Sequence, residues 1–186
     1  MVKRPTSSYL IAIFAIIMAT LALVQTLFFS EPEAGRKGAA IVLLVLGLVF
    51  SYYVIPYLDL REDRLVVVNP ILRHEIGLGA IEYVDTRYAL NVGGDFGKVS
   101  AWAAPAPGRL RHRSHSTEDF RTLNLKDGAN VRPSDLPSTI SGSYALMIKR
   151  ALEKPQTNKA YTKSINRLGV GLIVLPALAV IFTQLT

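Results

Sequence analysis

Two stretches carry residue types that could do chemistry. One is Gly93-Gly94-Asp95-Phe96-Gly97-Lys98; the other is the basic run Arg109, Arg111, His112, Arg113 and His115. A glycine-rich loop cradles phosphate when Gly, four residues and Gly-Lys-Ser/Thr open a helix, because the backbone N–H groups then converge on the anion. Here valine occupies positions 92 and 99 and a strand-like pattern follows. The stretch reads instead as a hairpin loop of residues that tolerate positive φ. His112 and His115 are three apart, with Glu118 and Asp119 close in sequence. Two histidines can hold a metal, but no carboxylate cluster completes a site. The run reads as a solvated basic loop, or as a contact for phosphate, anionic lipid or an acidic protein surface. No Ser–His–Asp logic is visible, and no pair of carboxylates in apolar company. The expectation is a chain that is not an enzyme, with no metal and no cofactor.

The elements that would hold these residues are set by hydropathy. Half of the 186 residues are hydrophobic and the mean hydropathy is +0.30. That is too apolar for an ordinary soluble domain and suggests one small domain plus membrane spans. There is no cysteine, which excludes a disulfide framework, a thiolate zinc site and a cysteine nucleophile. Tyr9–Phe29 is a 21-residue apolar run behind Lys3 and Arg4, long enough to cross the hydrocarbon core. A cleaved signal peptide is the competing reading, with no clear Ala-x-Ala site to support it. Gly38–Ile55 is a second uncharged run. The loop Ser30–Lys37 is short enough to force an antiparallel hairpin. Ala12, Ala15, Ala19 and Ala22 share one helical face, and Gly47 and Ser51 form a small-xxx-small pair. Both patterns suit close helix packing, here expected against the spans of a partner. Leu168–Leu185 is a third run with Pro176 inside it; it reads as a kinked span or as an interfacial helix. Gln25 and Gln184 are the notable polar residues in the runs, and neither ionises, so no proton or ion pathway is indicated.

The formal charge is +7. Most of the excess lies in residues 59–167, with seventeen Lys and Arg against twelve Asp and Glu. A pI near 9.8 would suit nucleic acid, but basic residues flanking spans give a simpler reason, and no nucleic-acid partner is expected. Lys3, Arg4, Arg61, Arg64, Lys154, Lys159, Lys163 and Arg167 flank the spans on one side. By the positive-inside rule the N-terminus and the domain are expected in the cytoplasm, against anionic lipid heads.

Between the spans the period changes. Tyr57–Leu60, Arg64–Asn69, Leu72–Ile76, Ile81–Arg87, Tyr88–Val92 and Lys98–Ala103 read as short strands with tight turns, and Asp59, Glu62 and Asp63 as turn residues. Ser143–Lys154 reads as an amphipathic helix capped by Ser143 and ended by Pro155. The polar residues Gln156–Asn166 read as a linker. The expected organisation is 1–57 for tail and transmembrane hairpin and 58–155 for a cytoplasmic domain with a basic insertion at 104–142. Residues 156–186 are expected to form a linker and a C-terminal transmembrane helix. The fold class is a membrane protein of α+β type.

Leu65-Val66-Val67-Val68-Asn69-Pro70, Arg73–Ile76, Ala80-Ile81 and Val99-Ser100-Ala101-Trp102-Ala103, behind two spans, carry a resemblance. The chain resembles the actinobacterial family of membrane-anchored pleckstrin-homology-like (PH-like) proteins labelled low-molecular-weight protein antigen 6. The likeness covers about Tyr9–Ala103. Where that family has Pro-Trp before the strand beginning at Ile81, this chain has Gly77-Leu78. The resemblance implies a PH-like β-barrel closed by the C-terminal amphipathic helix, acting as an interaction or scaffold module. It does not imply phosphoinositide binding. The expected partners are membrane lipids and integral membrane proteins. The expected function is that of an accessory subunit of a bacterial inner-membrane complex, by analogy the actinobacterial respiratory cytochrome bcc–aa3 assembly. The alternative is a membrane-surface module binding anionic lipid or an acidic protein.

Overall fold

Long uninterrupted apolar runs can satisfy their backbone in lipid only as helices, and among the described residues three helices are long and apolar enough to cross a membrane. The computed structural model describes residues 2–3, 6–107 and 132–185. Helix α1 is Thr6–Phe29; α2 is Pro32–Val49, opened by Pro32 and continued by a π-helical turn at Phe50–Val54. Helix α3 is Ile140–Leu152, and α4 is Arg167–Leu185. The candidate spans are Tyr9–Phe29, Pro32–Val54 and Arg167–Leu185. The chain divides into a helical unit, built from the spans and the turn Asn69–Leu72, and a β unit holding most of the rest.

In the helical unit α1 packs on α2, and α2 packs on α4. Ala12 is buried and Ala15, Ala19 and Ala22 are half-buried, while most of the large side chains between them are exposed. A Cβ on Gly47 would stand 2.0 Å from the Leu172 carbonyl oxygen. The Ser51 hydroxyl is buried and donates to the Gly169 carbonyl at 3.0 Å. The small-residue faces expected to meet a partner's spans are therefore turned toward helices of the same chain.

The β unit has two antiparallel sheets. One runs β1-β2-β3-β4-β8, from Val2–Lys3, Tyr57–Leu60, Arg64–Val68, Leu72–Gly77 and Tyr161–Ile165. The other runs β5-β6-β7, from Tyr83–Asp85, Ala89–Gly94 and Gly97–Pro105. Among the described residues neither sheet closes on itself. Leu58, Leu65, Val67 and Ile76 from the first sheet meet Leu90, Val92, Val99 and Ala101 from the second. Tyr144, Ala145 and Ile148 of α3 complete this core.

Several local expectations are corrected. Asp59 is not a turn residue; it sits in β2, paired with Val66 of β3 and with Val2 of β1. Its carboxylate accepts from Arg61 at 2.9 Å, which holds its pKa below the usual range. Of Ile81–Arg87 only Tyr83–Asp85 joins a ladder, and Leu78–Ala80 forms a 3-10 turn. Helix α3 starts three residues before Ser143, and its cap is Thr139, whose hydroxyl accepts from the Gly142 N–H at 3.0 Å. Ser143 lies in the first turn and donates to the Ile140 carbonyl. The supposed linker Gln156–Asn166 contains β8. Its side chains are mostly exposed, so no apolar alternation marks it. It is held through the backbone, by Gly77 N–H to the Ala160 carbonyl at 2.7 Å and Gly79 N–H to the Asn158 carbonyl at 2.8 Å. The insertion assigned to 104–142 is narrower at both ends: Ala104 and Pro105 belong to β7, and α3 begins at Ile140.

An aromatic stack joins the sheets at one edge. Phe96, in the β6–β7 turn, stacks on Tyr161 of β8 with centroids 4.8 Å apart, and Tyr161 stacks beside His74 of β4 at 6.1 Å. His74 is buried, its Nδ1 2.9 Å from the Tyr161 hydroxyl. Burial, with Lys163 adding like charge, pushes its pKa below the ordinary 6.5. The folded chain therefore binds the imidazole proton less well than the unfolded chain. Stability from this group is full above about pH 6.5 and falls as the pH drops below it, levelling off under the folded value. His74→Phe is expected to flatten that part of a melting-temperature-against-pH profile recorded in detergent.

Candidate interaction surface

The outer face of the three-stranded sheet gathers the most unusual exposed residues of the β unit. Its geometry follows from strand parity and one bulge. In β7, Val99, Ala101 and Ala103 point to the core, so Lys98, Ser100 and Trp102 point outward. Leu90 pairs with Ala101 but Ala89 pairs with Pro105, so extra residues of β7 bulge out between them. The bulge lets both Ala103 and Ala104 bury and sets the direction of Trp102, as bulges do.

Across the strands two outward rows follow from the register. Tyr83, Gly93 and Lys98 form one; Asp85, Asn91 and Ser100 form the next. Tyr83 lies across Gly93: a Cβ there would come within 2.1 Å of the phenol ring. Asn91 is buried in the middle of its row, its side-chain oxygen accepting from Ser100 and its amide donating to the Ala89 carbonyl at 2.9 Å. Asp85, at the end of this row, pairs with Arg132 at 3.2 Å. Trp102 is 54% exposed, Tyr83 48% and Tyr88, just before β6, 79%. Aromatic rings around a satisfied polar row, beside an arginine, match the composition of protein-binding hot spots.

Under one end of this face lies a polar knot. Buried Thr86 donates to Asp135, and its hydroxyl is also 3.3 Å from that of Ser134. Asp135 also accepts from the Arg132 N–H at 3.0 Å. Ser141 donates to the Ser134 carbonyl at 3.0 Å. The chain returning to α3 is thus pinned to the corner before β6. Thr86→Val removes the buried hydroxyl that joins half-buried Asp135 and buried Ser134. A loss of about 1–3 kcal/mol is expected, read as a lower unfolding midpoint.

Gly93–Lys98 forms the end of β6, the turn Asp95-Phe96 and the start of β7. Gly97 alone among the described residues has a left-handed φ, at 89°, as the residue closing such a turn requires. The turn leads into a strand, not into the helix a phosphate loop would open. Arg109, Arg111, His112, Arg113 and His115 lie outside the described residues, as do Glu118 and Asp119. Ala12, Ala15, Ala19, Ala22, Gly47 and Ser51 all lie in the helical unit. Among the described residues no cluster of three metal-ligating side chains occurs. Tyr83, Asp85, Asn91 and Arg132 were not marked as a site by the sequence. The parity of Lys98, Ser100 and Trp102 was the available signal for an outward tryptophan. No family model, no curated protein and no solved structure matches this chain.

Proposed function

We propose that the chain is a non-catalytic accessory or scaffold subunit of a bacterial inner-membrane complex. It is held by three spans, with its N-terminus and β unit on the cytoplasmic side. The β unit serves as a PH-like module, a reading supported by two antiparallel sheets sharing one core with α3. The observation that carries the proposal is the outer face of the three-stranded sheet, where Tyr83 and Trp102 stay about half exposed beside the Asp85–Arg132 pair. The partner contact moves from the small-residue helix faces, which pack within the chain, to this sheet face. The partner is an integral membrane protein, and by analogy with small three-span accessory proteins a respiratory cytochrome bcc–aa3 assembly is the first to test. Affinity purification of the full chain in mild detergent is expected to recover a stoichiometric partner. Tyr83→Ala with Trp102→Ala is expected to lower that recovery by about tenfold or more, the weight of one hot spot. Recovery of the wild-type chain alone would refute the reading.

A further inference from the structure

The turn Asn69–Leu72 belongs to the helical unit, and its depth can be worked out from the helix it touches. Helix α4 has 19 residues, about 28 Å at 1.5 Å per residue. The hydrocarbon core is about 30 Å thick. A helix this short spans only if its first residues lie at the boundary between acyl chains and headgroups. Asn166 stands just before that first turn and caps it: its side-chain oxygen accepts from the Gly169 N–H at 3.3 Å, and its carbonyl accepts from the Val170 N–H at 2.9 Å. The same residue holds the turn. Its backbone N–H donates to the Ile71 carbonyl and its side-chain amide to the Asn69 carbonyl, both at 2.8 Å. The approach is close enough that a Cβ on Gly169 would stand 1.9 Å from the Pro70 carbonyl oxygen. Turn and helix start therefore share one level. At that level Ile71 is 51% exposed and Ile165 65%. Both continue the apolar exterior of α4 that begins at Leu168.

We infer that the turn Asn69–Leu72 is a membrane-dipping anchor: Ile71, with Ile165, enters the lipid boundary alongside the start of α4. Lipid is the occupant because the patch is continuous with the surface of a spanning helix and set at its depth by three-ångström hydrogen bonds. Arg167 at the helix start places a cation where lipid phosphates lie. This inference does not depend on which partner the sheet face meets.

The test replaces the lone tryptophan by Trp102→Phe and introduces Ile71→Trp in the full-length protein. The variant is reconstituted in vesicles of phosphatidylethanolamine and phosphatidylglycerol. Emission is expected to be blue-shifted and to be lost when the acyl chains carry bromine near the ester end. Water-like emission, insensitive to brominated lipid, would overturn the inference. Shielding that appears only in native membranes, and not in the pure-lipid vesicles, would also overturn it by showing a protein occupant. If the Ile71→Trp chain does not fold, Ile165→Trp in the same background reports on the same boundary with the same two readings.

Discussion

Replacing Tyr144 by alanine is expected to cost the β unit about 3–5 kcal/mol, the range for deleting a large buried aromatic, and so to leave it largely unfolded. Tyr144 is 1% exposed, in the middle of α3, where the core residues of both sheets meet. Its hydroxyl donates to the Leu58 carbonyl of β2 at 3.1 Å. The ring thus ties helix to sheet by packing and by a bond. Tyr144→Phe separates the two: it keeps the volume and should cost only about 0.5–1.5 kcal/mol. Hydrogen exchange on the full chain in detergent would show the difference. In Tyr144→Ala the amides of β2, β3, β6 and β7 should lose protection together. Retained protection would mean that α3 is not part of the core.

Gly47→Leu should have the second-largest effect, on the helical unit. Any Cβ at position 47 meets the backbone oxygen of Leu172 at 2.0 Å and the Pro176 ring at 3.5 Å. A carbonyl cannot swing aside as a side chain can, so α2 and α4 must separate. Ser51 would then lose its bond to the Gly169 carbonyl. Overpacking of this kind costs about 1–3 kcal/mol, and the lost hydrogen bond adds to it. Thermal unfolding in detergent, followed by cleavage at a protease site placed in the α1–α2 loop, should move to lower temperature. The exposed neighbour Leu48, changed to alanine, should leave it nearly unchanged.

How much of this was legible in the sequence depended on whether a signal was local. The spans were visible because each is a long apolar run, but the second was expected only from Gly38, because Glu33, Arg36 and Lys37 charge the first turns of a helix that begins at Pro32. Strands β3 and β7 were visible through β-branched composition and alternation. Strand β8 was not, because every side chain in Tyr161–Ile165 but that of Tyr161 is exposed, and its place is set by its ladder with β4 and by Tyr161 stacking on Phe96 and His74. The start of α3 was misplaced because two serines and a threonine precede Tyr144. Only the return of the chain over Thr86 and Asp135 selects Thr139 as the cap. The small-residue faces were recognised from spacing, yet spacing does not say which helix they meet; contacts within the chain decide that. The outer sheet face was half legible. Trp102 shares parity with Lys98 and Ser100, but Tyr83 and Asp85 join it only through the register of β5 with β6.

The proposed role requires this sheet face to hold a partner protein. It is tested most directly by placing a photoreactive phenylalanine analogue in place of Trp102 and illuminating intact cells that make the full chain. One discrete heavier adduct containing a second membrane protein is expected, absent when the analogue instead replaces Lys149 on the exposed side of α3. Illumination that yields no adduct at position 102, or only diffuse adducts equal at both positions, would contradict it.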